Sequence, residues 1–204
     1  SKIIGSIGLG AMGGEYAKHL LENNFNVFGI DPDKKNSSSF TLYGGILLNN
    51  INDLLEKSNV IILSLPTVPI FHNVINEIEN CNYFTDPKII IDMNTISLED
   101  KLDAKNKLEK LNIFFIDAPV SGTGAQAKTK DLVVMSSGSE KIIDDCKDIF
   151  DSFARKNIFV GEFGNGIKFK ILANLLVTVH NTVTAEALLL GQKVGLDSQK
   201  IYEV

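Results

Sequence analysis

The chain has 204 residues, a length that fits one domain or slightly more. Its composition, 44% hydrophobic and 22% charged, is that of a globular protein and excludes a disordered tail, a fibre and a disulfide scaffold. A formal net charge of -5 excludes a general electrostatic attraction for nucleic acid or anionic lipid. No stretch approaches the ~18 uninterrupted apolar residues that a membrane span needs, so we predict neither a nucleic-acid nor a membrane partner.

The cysteines and the N-terminus indicate where the protein works. Cys81 and Cys146 have apolar neighbours and no CxxC pattern, which is typical of reduced core thiols. The chain begins directly with strand-like sequence and shows no secretory signal pattern. We therefore predict a cytoplasmic location. No residue group has metal-ligand spacing, so no metal is predicted, and His19 and His72 are expected on helix surfaces.

Short aliphatic runs alternate with longer amphipathic stretches along the chain. Runs of β-branched and leucine residues bounded by Gly, Asn, Asp or Pro are typical of strands buried on both faces. Alternation with helices at this spacing predicts an α/β fold, a doubly wound, mostly parallel sheet. The predicted strands are 3–7, 27–30, 46–48, 60–65, 89–91, 113–116, 132–135 and 158–160; the predicted helices are 12–24, 98–111 and 141–150, with a polar turn at 36–39.

The pattern changes after Gly161, where a long helix is predicted. Residues 167–194 contain no proline and a single glycine, and a helix of that length spans roughly 40 Å. Its apolar residues cover more than one stripe, so it needs a packing partner besides the first domain. We therefore expect a complete domain at 1–161, and at 162–204 the opening of a second domain whose remainder is missing.

The first predicted strand leads into a glycine-rich turn that opens the first helix. Gly8-Leu9-Gly10-Ala11-Met12-Gly13 matches the GxGxxG fingerprint of dinucleotide-binding folds in its expected context. The first glycine permits a tight turn, the second lets the backbone approach a pyrophosphate at the helix N-terminus, and the third lets helix and strand pack closely. The alternative is a glycine turn without a ligand.

An acidic residue and two further loops complete the predicted cofactor site. Asp31 closes the second strand, where its carboxylate can bind a ribose diol and repel a 2′-phosphate, so NAD is favoured over NADP. Leu65 and Pro66 follow the fourth strand, and Thr95 follows the fifth, at the edge where doubly wound sheets bind ligands. Ordinary loop residues are an equally good interpretation of these last three.

Two further segments carry groups suited to chemistry. The loop at 117–124 offers the hydroxyls of Ser121 and Thr123 and glycine N–H groups, which could hold a carboxylate, although a plain surface loop fits as well. Lys170 and Asn174 lie four residues apart on one face of the long helix. Lost hydration there would lower the lysine pKa toward the range useful for proton transfer. The alternative is a solvated lysine at a helix start.

Four sequence blocks together resemble the β-hydroxyacid dehydrogenase family, the group of 3-hydroxyisobutyrate dehydrogenase. They are IGLGAMG, IDMNTIS, DAPVSGTGA and the pattern GxxGxGxxxKxxxN from Gly161 to Asn174. The resemblance implies a Rossmann-like domain joined by a long helix to an all-helical C-terminal domain. It also implies assembly into a homo-oligomer through that helical region. The long-helix segment from Lys170 to Val204 is more similar to the L-threonate dehydrogenase branch than to the isobutyrate one.

The resemblance implies roles for individual residues. Lys170 becomes the catalytic acid/base and Asn174 its partner on the substrate. Ser121, Gly122 and Thr123 become the loop that binds the substrate carboxylate, and Thr95 lies beside the nicotinamide. The implied reaction is NAD-dependent hydride transfer at the carbinol carbon of a small hydroxy acid, such as 3-hydroxyisobutyrate or L-threonate.

The sequence departs from the family pattern and leaves two other functions open. Members usually have Gly where Lys130 stands and Gly-Gly at 137–138, and we interpret both differences as turn variations. About 90 further residues, implied by the resemblance, are missing. A decarboxylating 6-phosphogluconate dehydrogenase would need a set of phosphate-binding cations, whereas Arg155 is the sole arginine. A non-catalytic dinucleotide-binding module is the other alternative.

Overall fold

The computed structural model describes residues 2–81 and 88–204, which form two sheets and ten helices. The strands are β1 (Ile3–Ile7), β2 (Asn26–Ile30), β3 (Ile46–Leu47), β4 (Val60–Leu63), β5 (Lys88–Asp92), β6 (Ile113–Asp117), β7 (Val120–Ser121), β8 (Val133–Ser136) and β9 (Lys156–Phe159). The helices are α1 (Gly13–Glu22), α2 (Lys34–Leu42), α3 (Ile51–Lys57), α4 (Val68–Glu79), α5 (Leu98–Glu109), α6 (Gly124–Lys128), α7 (Glu140–Asp145), α8 (Lys147–Phe153), α9 (Asn165–Lys193) and α10 (Ser198–Glu203).

The larger sheet is doubly wound, as predicted. Its six strands are all parallel, in the order β3-β2-β1-β4-β5-β6. The chain moves outward from β1 to β3, returns to place β4 beside β1, and then moves outward again to β6. The strand order therefore reverses next to β1, where folds of this kind bind ligands.

Helices cover both faces of this sheet because the strands carry apolar residues on each side. In β4, Val60 and Ile62 join one buried cluster while Ile61 and Leu63 join the other. The first cluster contains side chains of α1, α2 and α8, and the second contains side chains of α3, α4 and α5. Burial of each large aliphatic side chain contributes ~1.5–3 kcal/mol, so this alternation fixes the layered architecture.

The last three strands form a separate small sheet. β7 pairs antiparallel with β8, and β8 pairs parallel with β9. An isolated bridge between Asp117 and Ser137 connects this sheet to the end of β6. The strands predicted at 132–135 and 158–160 are present, but they do not extend the main sheet.

Three local predictions were wrong. The polar turn at 36–39 is part of α2, because Asp33 caps that helix by accepting hydrogen bonds from the N–H groups of Lys35 and Asn36. The helix predicted at 141–150 breaks at Cys146 into α7 and α8. His19 is buried, not on a surface; its Nε2 lies 2.9 Å from the carbonyl oxygen of Ala127.

His72 and Cys146 lie where the sequence predicted them, whereas Cys81 is less buried than expected. His72 is partly exposed on α4, and its Nε2 lies 2.7 Å from Asp100 Oδ1. Both cysteines are free thiols. Cys146 is buried as expected of a core thiol, whereas Cys81 is only half-buried.

The long helix α9 runs for 29 residues, close to the predicted span. Its first turn packs against β6, β7 and β8, and its far end contacts α10. Gly166 and Ile167 are buried in that first turn, and Gly191 is buried near the other end. Large apolar side chains along the middle are exposed, namely Phe169, Ile171, Leu172, Leu175, Leu176, Val177, Val179 and Val183.

Candidate cofactor and active site

A cleft of about 630 Å³ opens at the carboxyl ends of β1, β2 and β4. This is the point where the strand order reverses, the expected position for a ligand. The cleft is long and mainly apolar, with polar groups from the strand ends. Its lining residues include Ile7, Gly8, Gly10, Ala11, Met12, Asp31, Pro32, Asp33, Asn36, Asn50, Leu65, Pro66, Ile70, Val74 and Glu77.

The glycine turn has the geometry that a dinucleotide requires. Gly8 has a φ of 90°, and a Cβ at this position would lie 2.1 Å from the carbonyl oxygen of Ser64. A Cβ on Gly13 would lie 2.1 Å from the carbonyl oxygen of Gly8. A Cβ on Gly10 would meet no atom within 4 Å, because this residue faces the open cleft. The first and third glycines therefore serve packing, and the second leaves room for a ligand at the N-terminus of α1.

Asp31 connects the glycine turn to the end of β2. Its Oδ2 accepts a hydrogen bond of 2.7 Å from the N–H of Leu9, and its Oδ1 accepts one of 2.8 Å from the N–H of Asp33. The side-chain amide of Asn36 lies 3.3 Å from Oδ2. These donors hold the carboxylate at the cleft wall, where it can still accept hydrogen bonds from a ribose diol.

The cleft brings together most of the residues predicted for the cofactor, but not all of them. Gly8, Gly10, Ala11, Met12, Asp31, Leu65 and Pro66 line it. Leu9 is buried behind the turn, and Gly13 is buried in the first turn of α1. Thr95 is exposed and does not line this cleft.

Sequence reasoning missed the wall of the cleft that α3 and α4 supply. Asn50 caps α3, while Ile70, Val74 and Glu77 lie on one face of α4. Their spacing of four and three residues follows the helical period, and Thr67 and Pro69 mark the start of α4. The helical pattern was therefore present in the sequence, but nothing in it showed which strand ends the helix faces.

A buried ion network lies beside the cleft. The ammonium group of Lys101 on α5 lies 2.6 Å from Asp92 Oδ2 and 2.9 Å from Asp117 Oδ1, and all three side chains are fully buried. Burial opposes the charge on Lys101, but the two carboxylates raise its pKa. Burial raises the pKa of Asp92. The network joins the carboxyl ends of β5 and β6.

Each carboxylate of the network also binds a neighbouring segment. Asp92 Oδ1 accepts hydrogen bonds from the backbone and the side-chain amide of Asn94, at 3.1 and 2.6 Å. Asn94 Oδ1 in turn accepts one of 2.6 Å from the N–H of Leu65. Asp117 Oδ2 accepts one of 2.9 Å from the N–H of Ile167, in the first turn of α9. The network thus reaches both a wall of the cleft and the long helix.

The two departures from the family pattern have different structural meanings. Lys130 adopts a φ of 59°, the left-handed conformation that glycine favours, so it is a turn variation as interpreted. The interpretation of Ser137 as a turn variation was wrong. Its buried hydroxyl donates to Asp117 Oδ2 at 3.0 Å and accepts from the N–H of Gly166 at 3.0 Å. Ser137 therefore belongs to the ion network.

The predicted substrate loop follows β6 and lies near α9. Ser121 is exposed in β7, Gly122 has a φ of 138°, and Thr123 caps α6. The side chains of Thr123 and Gln126 form a reciprocal capping box, so the threonine hydroxyl already has a structural partner. Because β7 packs against α9, this loop and the helix that carries Lys170 are neighbours.

Lys170 and Asn174 lie on α9, outside the lining of the large cleft. Lys170 is half-buried, and burial lowers the pKa of its ammonium group, as its position on an apolar helix predicted. Lys168 is exposed, and its ammonium group lies 3.2 Å from Asn165 Oδ1. Asn174 is exposed. Of the two lysines in this turn, Lys170 has the environment that suits proton transfer.

Metal-ligating side chains do not cluster in residues 2–81 and 88–204. No group of three His, Cys, Asp or Glu residues within these ranges is placed to hold a metal ion. The described residues offer a half-buried amine at Lys170, hydroxyl and amide donors, and a cleft with an open glycine turn.

Two family models match this chain in succession. Residues 3–161 match the NAD-binding domain of 6-phosphogluconate dehydrogenase. Residues 164–204 match the NAD-binding model of NADP-dependent 3-hydroxyisobutyrate dehydrogenase. Together the two models cover the glycine turn, the ion network and the whole of α9.

Two relatives with similar sequences are dehydrogenases. The chain is 31% identical over 205 residues to 2-(hydroxymethyl)glutarate dehydrogenase from Eubacterium barkeri, covering 98% of this chain and 67% of that protein. It is 28% identical over 205 residues to human mitochondrial 3-hydroxyisobutyrate dehydrogenase, covering 98% of this chain and 60% of that protein. The chain thus spans about two thirds of the length of these relatives, or slightly less.

A solved structure shows the same fold over almost the whole chain. The 3-hydroxyisobutyrate dehydrogenase of Mycobacterium tuberculosis, solved with L-serine, superposes with a TM-score of 0.92 at 27% identity. The match covers 99% of this chain and 69% of that one. The fold, including the long helix, is therefore that of the neighbour.

Substitutions at two glycines should separate folding from cofactor binding. In Gly8→Ala the new Cβ collides with the Ser64 carbonyl at a positive φ, so the free energy of unfolding should fall by about 2–4 kcal/mol. In Gly10→Ala the Cβ enters open space, so stability should change by less than about 0.5 kcal/mol. Affinity for NAD should nevertheless fall at least about tenfold, because the methyl group blocks the pyrophosphate.

Urea unfolding and isothermal titration with NAD measure the two effects. A Gly10→Ala protein that binds NAD as tightly as the parent would show that the ligand does not approach this turn.

Proposed function

The chain belongs to the β-hydroxyacid dehydrogenase family, and from this premise we propose that it is an NAD-dependent oxidoreductase of small hydroxy acids. Hydride moves between nicotinamide and the carbinol carbon of the substrate, which has a carboxylate close to its hydroxyl group. The observation that carries the proposal is the half-buried Lys170, whose pKa burial lowers, on a helix packed beside the loop at Ser121. The relatives' names make hydroxyisobutyrate-like acids the first substrates to test. L-threonate, which rests on the sequence resemblance of the long helix alone, is the second.

The cofactor cleft supports NAD as the dinucleotide. The open space at Gly10 fits a pyrophosphate, and Asp31 is held by its backbone donors at the wall that a ribose would contact. A carboxylate there repels a 2′-phosphate, which is the basis for preferring NAD to NADP. When bound, NAD supplies the hydride acceptor.

Proton transfer is the part of the reaction that the chain's own residues perform. Neutral Lys170 takes the proton from the substrate hydroxyl during oxidation, and its ammonium form returns the proton during reduction. The amide of Asn174 lies one turn further along the helix and orients the same hydroxyl. Backbone N–H groups and the hydroxyl of Ser121 bind the substrate carboxylate, with Gly122 and Thr123 shaping the loop.

A decarboxylating 6-phosphogluconate reaction has less support. Arg155, the sole arginine of the chain, pairs with Asp131 Oδ1 at 2.9 Å on the surface and does not line the cleft. A non-catalytic dinucleotide-binding module would use the same cleft for the cofactor. The two hypotheses differ in whether Lys170 transfers a proton. The test of that lysine therefore decides between the two.

The apolar surface of α9 bears on assembly. By length and composition this helix could cross a membrane, with a mean hydropathy of 1.2 over its most apolar 18-residue window, none of it buried. However, α9 lies within the segment that matches the 3-hydroxyisobutyrate dehydrogenase model, and Lys170, Asn174, His180 and Asn181 interrupt its apolar surface. We therefore infer that α9 is covered by protein and that copies of the chain associate through it.

Location in the cell stays a prediction. Free cysteines agree with a reducing compartment, which is compatible with the cytoplasm. The human relative is named as a mitochondrial protein.

The preference for NAD should depend on Asp31. NAD should bind at least about tenfold more tightly than NADP, because a 2′-phosphate would face a carboxylate of like charge. Asp31→Asn should narrow the difference while keeping an oxygen that can accept from the N–H of Leu9. Asp103→Asn, the same charge change on the exposed side of α5, should leave the ratio unchanged. Isothermal titration with both cofactors checks this, and equal affinities in the parent protein would refute it.

Catalysis should depend on Lys170 and not on its neighbour Lys168. In the protein as its gene encodes it, Lys170→Ala should lose roughly 10²–10⁴-fold in kcat, the usual contribution of an acid/base group. Affinity for NAD should stay within about twofold, since the cleft residues lie elsewhere. Lys168→Ala should retain kcat, because its ammonium group is exposed beside Asn165.

The pH profile gives a second measurement of the same residue. Only the neutral amine accepts a proton, so oxidation should accelerate with rising pH, with a midpoint below the ordinary lysine pKa because burial lowers it. This limb should disappear in Lys170→Ala. Turnover close to that of the parent in Lys170→Ala would instead favour the non-catalytic module.

Association through α9 can be tested by light scattering. The 22.4 kDa chain should form a dimer or larger species, because a patch of this size exceeds what monomers commonly expose. Replacing both Leu175 and Leu176 with Glu should shift the protein toward monomer. Leu42→Glu, at an exposed leucine on α2, should not. A parent chain that is strictly monomeric would contradict the inference.

A further inference from the structure

The proposed reaction leaves one buried charge without a role. Lys101 is fully buried and does not line the cleft, and its ammonium group pairs with Asp92 and Asp117. Removing a lysine ammonium group from water costs free energy, which pairing with buried carboxylates offsets. Among residues 2–81 and 88–204, these two carboxylates have no other cationic partner within 4.0 Å.

The first arm of the network leads to the cofactor cleft. Asp92 fixes Asn94 by two hydrogen bonds to one of its oxygens, and Asn94 fixes the N–H of Leu65 at 2.6 Å. Leu65 and the adjacent Pro66 line the cleft. The strand β4 ends at Leu63, so this side-chain contact replaces the sheet hydrogen bond that Leu65 would otherwise make.

The second arm leads to the helix of the proposed acid/base. Asp117 Oδ2 binds the N–H of Ile167 at 2.9 Å, and the hydroxyl of Ser137 links the same oxygen to the N–H of Gly166. A Cβ at Gly166 would lie 2.8 Å from Asp117 Oδ2, so the helix start can approach this closely only with glycine there. Lys170 follows Ile167 by three residues, less than one helical turn.

We propose that Lys101 is a positioning residue, the shared counter-ion that holds the Leu65–Pro66 wall of the cleft and the first turn of α9 in one relative geometry. Because Lys101 pairs with only one oxygen of each carboxylate, Asp92 Oδ1 and Asp117 Oδ2 stay available to the two arms. The catalytic part of this proposal rests on the proposed function of Lys170. The mechanical part, the joint fixing of the two arms, does not.

Amide hydrogen exchange on the full chain tests the mechanical part. In Lys101→Met, which keeps the length of the side chain, the amides of Leu65 and Ile167 should both exchange at least about tenfold faster. Amides of β1, which belong to the sheet ladder and not to the network, should keep their protection. Lys105→Met, one turn along α5 at a lysine paired with the half-exposed Glu109, should leave all of these rates unchanged.

A second variant keeps the test decisive if Lys101→Met does not fold. Lys101→Gln retains most of the stem and an N–H donor but no charge, so one carboxylate at a time can be satisfied. Faster exchange at both Leu65 and Ile167, with β1 unchanged, supports the proposal. Faster exchange at only one of them, or at neither, overturns it.

A double-mutant cycle tests the catalytic part in the protein as its gene encodes it. Lys101→Met should lower kcat by about tenfold or more, but in a Lys170→Ala background it should cost less than about twofold further, because its effect passes through that amine. A merely structural role would lower the rate by the same factor in both backgrounds, and that result would overturn the catalytic part. If Lys170→Ala is itself fully active, the proposed function fails, and the exchange data still decide whether Lys101 joins the two arms.

Discussion

One lysine between two carboxylates holds together the edge of the sheet on which this site is built. The charges of Asp92, Lys101 and Asp117 are all removed from water, and three such charges sum to a net negative one. A buried negative charge is tolerable when its remaining oxygens accept hydrogen bonds from N–H and O–H groups. The groups that donate here belong to Asn94, Ser137 and Ile167, so the electrostatic requirement of the core also orders the loops and the helix around the site.

At the end of β2, away from β5 and β6, another carboxylate also accepts hydrogen bonds that order the neighbouring backbone. Asp31 was predicted as a ligand for a ribose, and the structure adds that its oxygens hold Leu9 and Asp33 by their backbone N–H groups. The carboxylate is therefore held in position before any ligand arrives, and less freedom remains to be lost on binding. At both places an acid at the end of a parallel strand serves the fold and the site together.

Local patterns made the fold and the position of the cleft predictable. The glycine fingerprint, the aliphatic strands and the long helix each show their structure within a few adjacent residues, and the sheet and α9 formed as expected. Two local predictions failed, the turn at 36–39 and the unbroken helix at 141–150. The other failures were contacts between segments far apart in the chain. His19 looks like a polar residue on an amphipathic helix, but it is buried beside the carbonyl oxygen of Ala127, which is 108 residues away in the chain. Ser137 looks like a turn residue because Asp117 and Gly166 lie 20 and 29 positions away.

Because α9 is long and is hydrogen-bonded at its first turn, a small change of angle at that turn moves its far end by several ångströms. Backbone N–H groups of its first turn donate hydrogen bonds to the side chains of Asp117 and Ser137, while the large apolar side chains along the middle of the helix are exposed. Over 29 residues, at about 1.5 Å each, a tilt of about 5° at the anchored end displaces the far end by about 4 Å. The position of any surface that packs on that far end therefore depends on the hydrogen bonds at the anchored end. A substitution at Asp117 or Ser137 would therefore change the direction of α9 and the position of its exposed apolar surface, although neither residue lines the cleft or belongs to that surface.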